Sequence, residues 1–160
     1  MGYVIYIAVV MFLAPLCCVL GEIYFRSGVS KTFDITWKWL IFWAIGIRLF
    51  SAGISQVSNP TFTAGILQLP ESAHIIIREL GFANLLMGGL AVLSLVFPSL
   101  RIAATMGGLY LGAAGILHII RGLDHVNFKE ATALISDIWA FIIVLGFYLY
   151  NFIPYLREKT

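Results

Sequence analysis

The sequence predicts an all-α, polytopic transmembrane helix bundle with five spans. Three observations carry that reading. Hydrophobic residues make up 61% of the 160 and charged residues only 11%, where a soluble domain carries roughly 25% charged residues. The apolar residues gather in five stretches of about 20 or more, the length that crosses a ~30 Å hydrocarbon core. Each stretch is bounded by Pro, Gly or charged residues, and a segment in lipid must satisfy its own backbone, which a helix does.

The first stretch runs from about Tyr3 to Phe25, and Pro15 inside it predicts a kink. Met1-Gly2-Tyr3 carries no positive charge and no small-x-small site follows, so it reads as a span and not a signal peptide. Position 6 is Tyr, which removes a myristoylation motif. The second stretch, Ile35 to Ser58, is closed by Asn59-Pro60, because a residue before proline leaves the α region. The third, Ser72 to Phe97, opens on Pro70-Glu71, suited to a first turn, and stops at Pro98. The fourth is Leu100 to Arg121. Asp124 to Glu130 reads as a solvated link, with Asp124, His125, Lys129 and Glu130 in water. The fifth, Ala131 to Ile153, ends at Pro154. One compact domain accounts for the whole chain.

Lysine and arginine asymmetry sets the expected orientation. Arg26, Lys31, Lys38, Arg101, Arg157 and Lys159 fall on one side, Arg121 and Lys129 on the other. The first side is then cytoplasmic, with the N-terminus outside and the C-terminus inside, in a bacterial inner membrane. Tyr3, Tyr24, Trp37, Trp39, Tyr148 and Tyr150 lie near segment ends, where interface aromatics belong. The net charge of +2, with no Lys/Arg run, excludes nucleic acid as a partner and leaves the lipid bilayer. The two cysteines, Cys17 and Cys18, are adjacent, point about 100° apart on a helix, and read as small packing residues.

The spans have readable faces. On the second, Ala44, Arg48, Ser51, Ala52, Ser55 and Asn59 form a small, polar stripe opposite Phe42, Ile47, Phe50 and Ile54. Small residues let helix backbones approach in lipid, so the stripe should face other helices. On the fourth, Ala104, Gly107, Leu111, Ala114, Gly115 and His118 share a face, with Gly108 and Gly112 beside it. No strand precedes these glycines, so they serve packing and not phosphate binding. On the third, His74, Arg78, Gly81, Leu85 and Gly88 lie on one side and Glu79 is turned away, which predicts a central helix touched all round.

Function can be read only from the ionisable residues inside the spans: Glu22, Arg48, Arg78, Glu79 and Asp137. Each costs at least about 2.5–3.5 kcal/mol to insert. At 1.5 Å per residue, Arg78 and Glu79 lie about 10 Å inside the outer end of the third span and Asp137 about 9 Å inside that of the fifth. His118 is near the outer end of the fourth, and Arg48 is near mid-membrane. Arg48, Arg78, Glu79, Asn84, His118 and Asp137 are therefore the candidate ligand or proton site, with Glu22 apart at the cytoplasmic end. Two positive and two negative charges can also neutralise one another as a structural network. A bis-histidine haem on His74 and His118 lacks an attachment motif. A metal site on Glu79, His118 and Asp137 is likewise disfavoured, so no metal is assigned.

The stretch from Leu40 to Arg121 resembles the DoxX-like small bacterial membrane proteins, and more closely an uncharacterised DoxX-related family. The matching features are Gly46, Arg48 and Gly53 on one helix, a short Pro-containing outer loop, and then Arg78-Glu79-Leu80-Gly81-Phe82-Ala83-Asn84-Leu85. Gly88-Gly89, Arg101 and the Gly/Ala run ending in His118 follow. The resemblance implies a four-helix DoxX-like core plus an N-terminal helix. Some DoxX-type proteins are subunits of thiosulfate:quinone oxidoreductases or partners in membrane thiol-redox complexes, so it also implies a quinone or redox association. It carries over no catalytic residue. The expected function is a non-enzymatic or accessory subunit, with a polar pocket in the outer half that holds a small molecule or supports a redox partner, alone or as a homo-oligomer. A proton- or ion-coupled transport component and a structural assembly factor are the alternatives.

Overall fold

The structure, a computed structural model, describes residues 1–26, 32–120 and 127–157, with backbone only at 26 and 153–157. Lys31, Arg121, Asp124, His125 and Lys159 lie outside the described residues. Five helices are long and apolar enough to span a membrane. The first covers Gly2–Phe25 and the second Thr32–Ser58. The third is His74–Leu93, the fourth Arg101–Ile120 and the fifth Phe128–Arg157. No strand occurs among the described residues.

The second span is the centre of the bundle and buries the largest share of its length. The third lies against it at backbone contact. A Cβ on Gly53 would stand 2.7 Å from the Gly81 carbonyl oxygen, and one on Gly88 only 2.4 Å from the Phe50 amide nitrogen. The fourth span meets the second at Gly107, beside Leu49 and Ile45, and the fifth at Gly108, Gly112 and Gly115, beside Val144, Phe141 and Ile138. Lipid tails are as apolar as leucine, so close packing and not water exclusion holds these helices together. The first span adds Ile7, Val10 and Met11 to a core shared with Ile41, Ala44, Ile45, Ala104, Ala140 and Val144.

Two spans contain wide π turns. In the first, Val9–Leu13 is π-helical and the Ala14 amide bonds the Val9 carbonyl. The widened turn sits just before Pro15, whose ring crowds the preceding turn of a regular α-helix, and the span continues without a break. In the second, Ile41–Ile47 is π-helical and the Arg48 amide reaches back to Trp43. The extra residue in that turn re-phases the rest of the span. It broadens the buried face to Ile41, Ala44, Ile45 and Gly46, and delivers Arg48 to the interior.

The structure departs from the sequence reading at four places. The segment after Asn59 is not a bare loop. Pro60 occupies the first turn of a short helix, Pro60–Leu67, which ends on Gln68 in the left-handed region (φ 54°) with the Leu69 amide bonded to the Ala64 carbonyl. The third span stops at Leu93, before the turn that leads to Pro98. The fifth starts at Phe128 and runs through Pro154 to Arg157, because a proline in a last turn forfeits a single backbone bond. Finally, the third span is not touched all round. It buries Ile77, Gly81, Asn84, Gly88 and Ala91, and leaves Ile75, Arg78, Glu79, Phe82 and Leu86 exposed.

Gly88→Ala forces a methyl group into the Phe50 backbone, and it should cost about 1–3 kcal/mol in an SDS-titration unfolding assay. Gly21→Ala, with nothing within 4 Å of the added carbon, should change stability by less than about 1 kcal/mol and in the stabilising direction.

A polar cavity and its buried ion pair

Arg48 follows directly on the π turn and is buried. Its Nη2 donates to Asp137 Oδ1 at 3.3 Å and its Nε to Ser136 Oγ at 3.4 Å. Ser136 Oγ in turn donates to the Ala133 carbonyl at 2.7 Å, which fixes it beside the pair. Both bonds to the guanidinium are long, and a guanidinium carries five donors. Beside the pair, Arg48 also lines an open space.

That space is a cavity of about 610 Å³ walled by all five spans and the short helix. Tyr3, Tyr6 and Tyr110 contribute polar groups to its wall, while Leu49, Leu111, Ala52 and Ala114 supply apolar surface. Tyr6 and Ser51 hydrogen-bond through their hydroxyls, joining the first span to the second, and Ser51 Oγ also donates to the Ile47 carbonyl at 2.7 Å. Asn84 Nδ2 donates to Gln56 Oε1 at 2.7 Å, both residues being buried, and Asn84 Oδ1 has no partner among the described residues. Arg48 is ten residues from the end of its span at Ser58, so the cavity reaches about 15 Å inward, half of a ~30 Å hydrocarbon core. Met1, Phe62, Phe128 and Lys129 are exposed residues of its lining.

His118 also lines the cavity, and its Nδ1 lies 3.0 Å from Glu130 Oε1. An ionised carboxylate only accepts, so in that pair Nδ1 is the donor. Glu130 is only 1% exposed, which overturns its place in a solvated loop. The physical reason is the helix start. Asn127 Oδ1 accepts from the Lys129 and Glu130 amides at 3.0 Å each, which caps the fifth span three residues earlier than the apolar run suggests and turns Glu130 inward. Asn127 Nδ2 donates to the Ile66 carbonyl at 2.7 Å, tying the short helix to the same point.

Of the six candidate residues, Arg48, Asn84, His118 and Asp137 line this one cavity. Arg78 and Glu79 do not. They lie exposed on the outer surface of the third span, so Arg48 balances Asp137 alone, and no four-charge network forms. The inward face of that span is marked by Gly81, Asn84 and Gly88, not by its charges. Glu22 is separate, as expected: Lys38 Nζ and Trp39 Nε1 donate to its Oε2, the latter at 2.7 Å. Residues the sequence reading missed are Glu130, Ser136, Tyr6 and Tyr110, while Gln56, near the outer end of its span, and Tyr3, near a span end, also line the cavity. The Asn127-x-x-Glu130 spacing of a capping box was the available signal for Glu130. Among the described residues no three His, Cys, Asp or Glu side chains converge as metal ligands.

Fold and site together define a multi-pass membrane protein with a half-depth polar cavity built around a buried ion pair. Residues 5–154 match the Family of unknown function (DUF6790), and the chain belongs to that family. No curated protein and no solved structure matches it.

Breaking a buried pair strands a charge, so Arg48→Met alone or Asp137→Leu alone should cost about 3–5 kcal/mol, and the double variant should recover most of it. Chemical unfolding followed by circular dichroism checks this. Additive losses in the double variant would show that the two side chains are not coupled.

Proposed function

We propose that the protein is a non-enzymatic or accessory membrane subunit whose cavity holds an amphipathic small molecule of the quinone class and supports a redox partner in the same membrane. The observation that carries this reading is Arg48 on the wall of a cavity that mixes polar and apolar side chains, with two side-chain hydrogen bonds among the described residues. A quinone carbonyl accepts from a guanidinium and from the tyrosine hydroxyls nearby. Its ring suits walls such as Leu49 and Leu111, and its tail leaves through the mouth. A volume of about 610 Å³ falls within the roughly 300–1,000 Å³ common for small-molecule sites. The DoxX-like pattern around Arg48, Asn84 and His118 supports the same ligand class. With the N-terminus outside an inner membrane, the cavity opens to the outer half and Glu22 lies at the cytoplasmic end.

Two features weigh against the other readings. Below Arg48 the bundle is filled by Ile41, Ala44, Ile45, Ala104, Ala140 and Val144, so a proton or ion path does not continue through one copy. A purely structural ion pair has no need of a cavity beside it.

Ala114 lines the cavity outside the polar network. In nanodiscs, decylubiquinone or a short-chain menaquinone at a hundredfold excess over its Kd should stabilise the wild type by about 2.7 kcal/mol, seen as a rise in Tm. Ala114→Phe should keep the helical spectrum and lose that rise. No rise with either quinone in the wild type, or an equal rise in Ala114→Phe, refutes the assignment.

A further inference from the structure

The third span carries a second pattern, on the side away from the cavity. Ile75, Glu79, Phe82, Leu86, Gly89 and Leu93 follow one another at steps of four, three, four, three and four residues. That is the spacing of the core positions of a coiled-coil seam. Five of these residues are exposed, Ile75 at 69% and Leu86 at 73%. The sixth, Gly89, has nothing within 4 Å of where a Cβ would lie, whereas Gly81 and Gly88 on the opposite face are each crowded by the second span. A glycine in mid-helix costs up to about 1 kcal/mol relative to alanine. In lipid, small residues on a helix face permit close approach by another helix.

The charges point the same way. No ion pair or hydrogen bond of Glu79 or Arg78 occurs among the described residues. The neighbours of Glu79 at three and four positions along the helix are Ile75, Ile76, Phe82 and Ala83, none of them a cation. Glu79 lies eight residues in from Glu71, about 12 Å along the axis. Its side chain is too short to reach the headgroups easily, and an unpaired carboxylate on a lipid-facing surface is costly.

We propose that the protein forms a parallel, two-fold dimer through this face, in which each Glu79 pairs with the partner's Arg78. Copies inserted in one orientation are related by an axis along the membrane normal, so equal residues sit at equal depth. Arg78 occupies the position just before Glu79, which flanks the seam. In parallel knobs-into-holes packing, a side chain at this core position enters a hole walled in part by that flanking residue of the other helix. The two-fold axis then makes the ion pair twice, and leaves neither charge facing lipid. Gly89 lies on the same seam, ten residues further along, where the backbones can close together.

The test uses the full chain in nanodiscs. In a Cys17→Ala/Cys18→Ala background, Leu86→Cys should form a disulfide-linked dimer under mild oxidation. Ile116→Cys, also exposed but on the fourth span, should remain monomeric. Glu79→Arg sets like charges against each other and should raise the dimer dissociation constant about tenfold or more, measured by single-molecule photobleaching, and the double reversal Arg78→Glu/Glu79→Arg should restore it. A monomeric wild type, a Leu86→Cys cross-link no stronger than that of Ile116→Cys, or a Glu79→Arg dimer as tight as the wild type overturns the proposal.

Discussion

A guanidinium buried at the mid-depth of a membrane bundle constrains everything packed around it. Arg48 cannot reach either surface from that depth, so the bundle has to bring it an anion, and Asp137 of the fifth span is that anion at 3.3 Å. The π turn at Ile41–Ile47 belongs to the same solution, because it sets the phase at which Arg48 leaves the helix. Ser136, held to the Ala133 carbonyl, supplies a second acceptor. Once the pair is in place, its neighbours cannot all be leucine and glycine at van der Waals contact. Polar side chains need room for their hydrogen-bond geometry, and tyrosine hydroxyls, Gln56 and Asn84 surround the opening.

The bundle is accordingly two different materials. The half that holds Ile41, Ala44, Ile45, Ala104, Ala140 and Val144 is a close-packed apolar core. Glycines at the helix crossings bring the second span against the third and fourth, and the fourth against the fifth. The half that carries the N-terminus is open. Its mouth is held apart by a strut with its own logic. Pro60 starts a short helix where it also ends a span, Gln68 closes it in the left-handed region, and Asn127 binds it to the cap of the fifth span. The same asparagine amide therefore starts a helix, turns Glu130 toward His118 and braces the cavity wall.

Much of the fold was legible in the sequence because membrane helices announce themselves by length and apolarity. The five spans, the inward polar stripe of the second and the inward glycine face of the fourth all appear where the residue spacing placed them. Depth counting places Arg48 deeper than Asp137, and the two side chains nonetheless meet at 3.3 Å. Arg78 and Glu79 were misassigned for a physical reason. In water a charge marks the outside of a helix, whereas in lipid it is expected to face the bundle interior. The third span carries large apolar residues on its outer face as well as its charges, so its inward face is signalled by Gly81, Asn84 and Gly88. Glu130 was lost because the fifth span was started at its first apolar residue. The cap at Asn127 adds a polar first turn that hydropathy does not see.

The two outward charges of the third span and the two inward charges of the cavity obey one rule. A charged group at membrane depth is stable only where something of opposite sign or a water-filled space meets it, and the bundle interior is merely the commonest such place. Arg48 and Asp137 meet within one chain, and what remains unfilled beside them is a cavity. Arg78 and Glu79 are adjacent on one surface and point about 100° apart, so they cannot answer each other within one copy. What remains unfilled around them is the outside of the helix, and in the proposed dimer it is met by a protein surface of the same depth and opposite charge. A second copy has both by symmetry. The sign and depth of an intramembrane charge therefore say less about its role than which neighbours its own chain supplies.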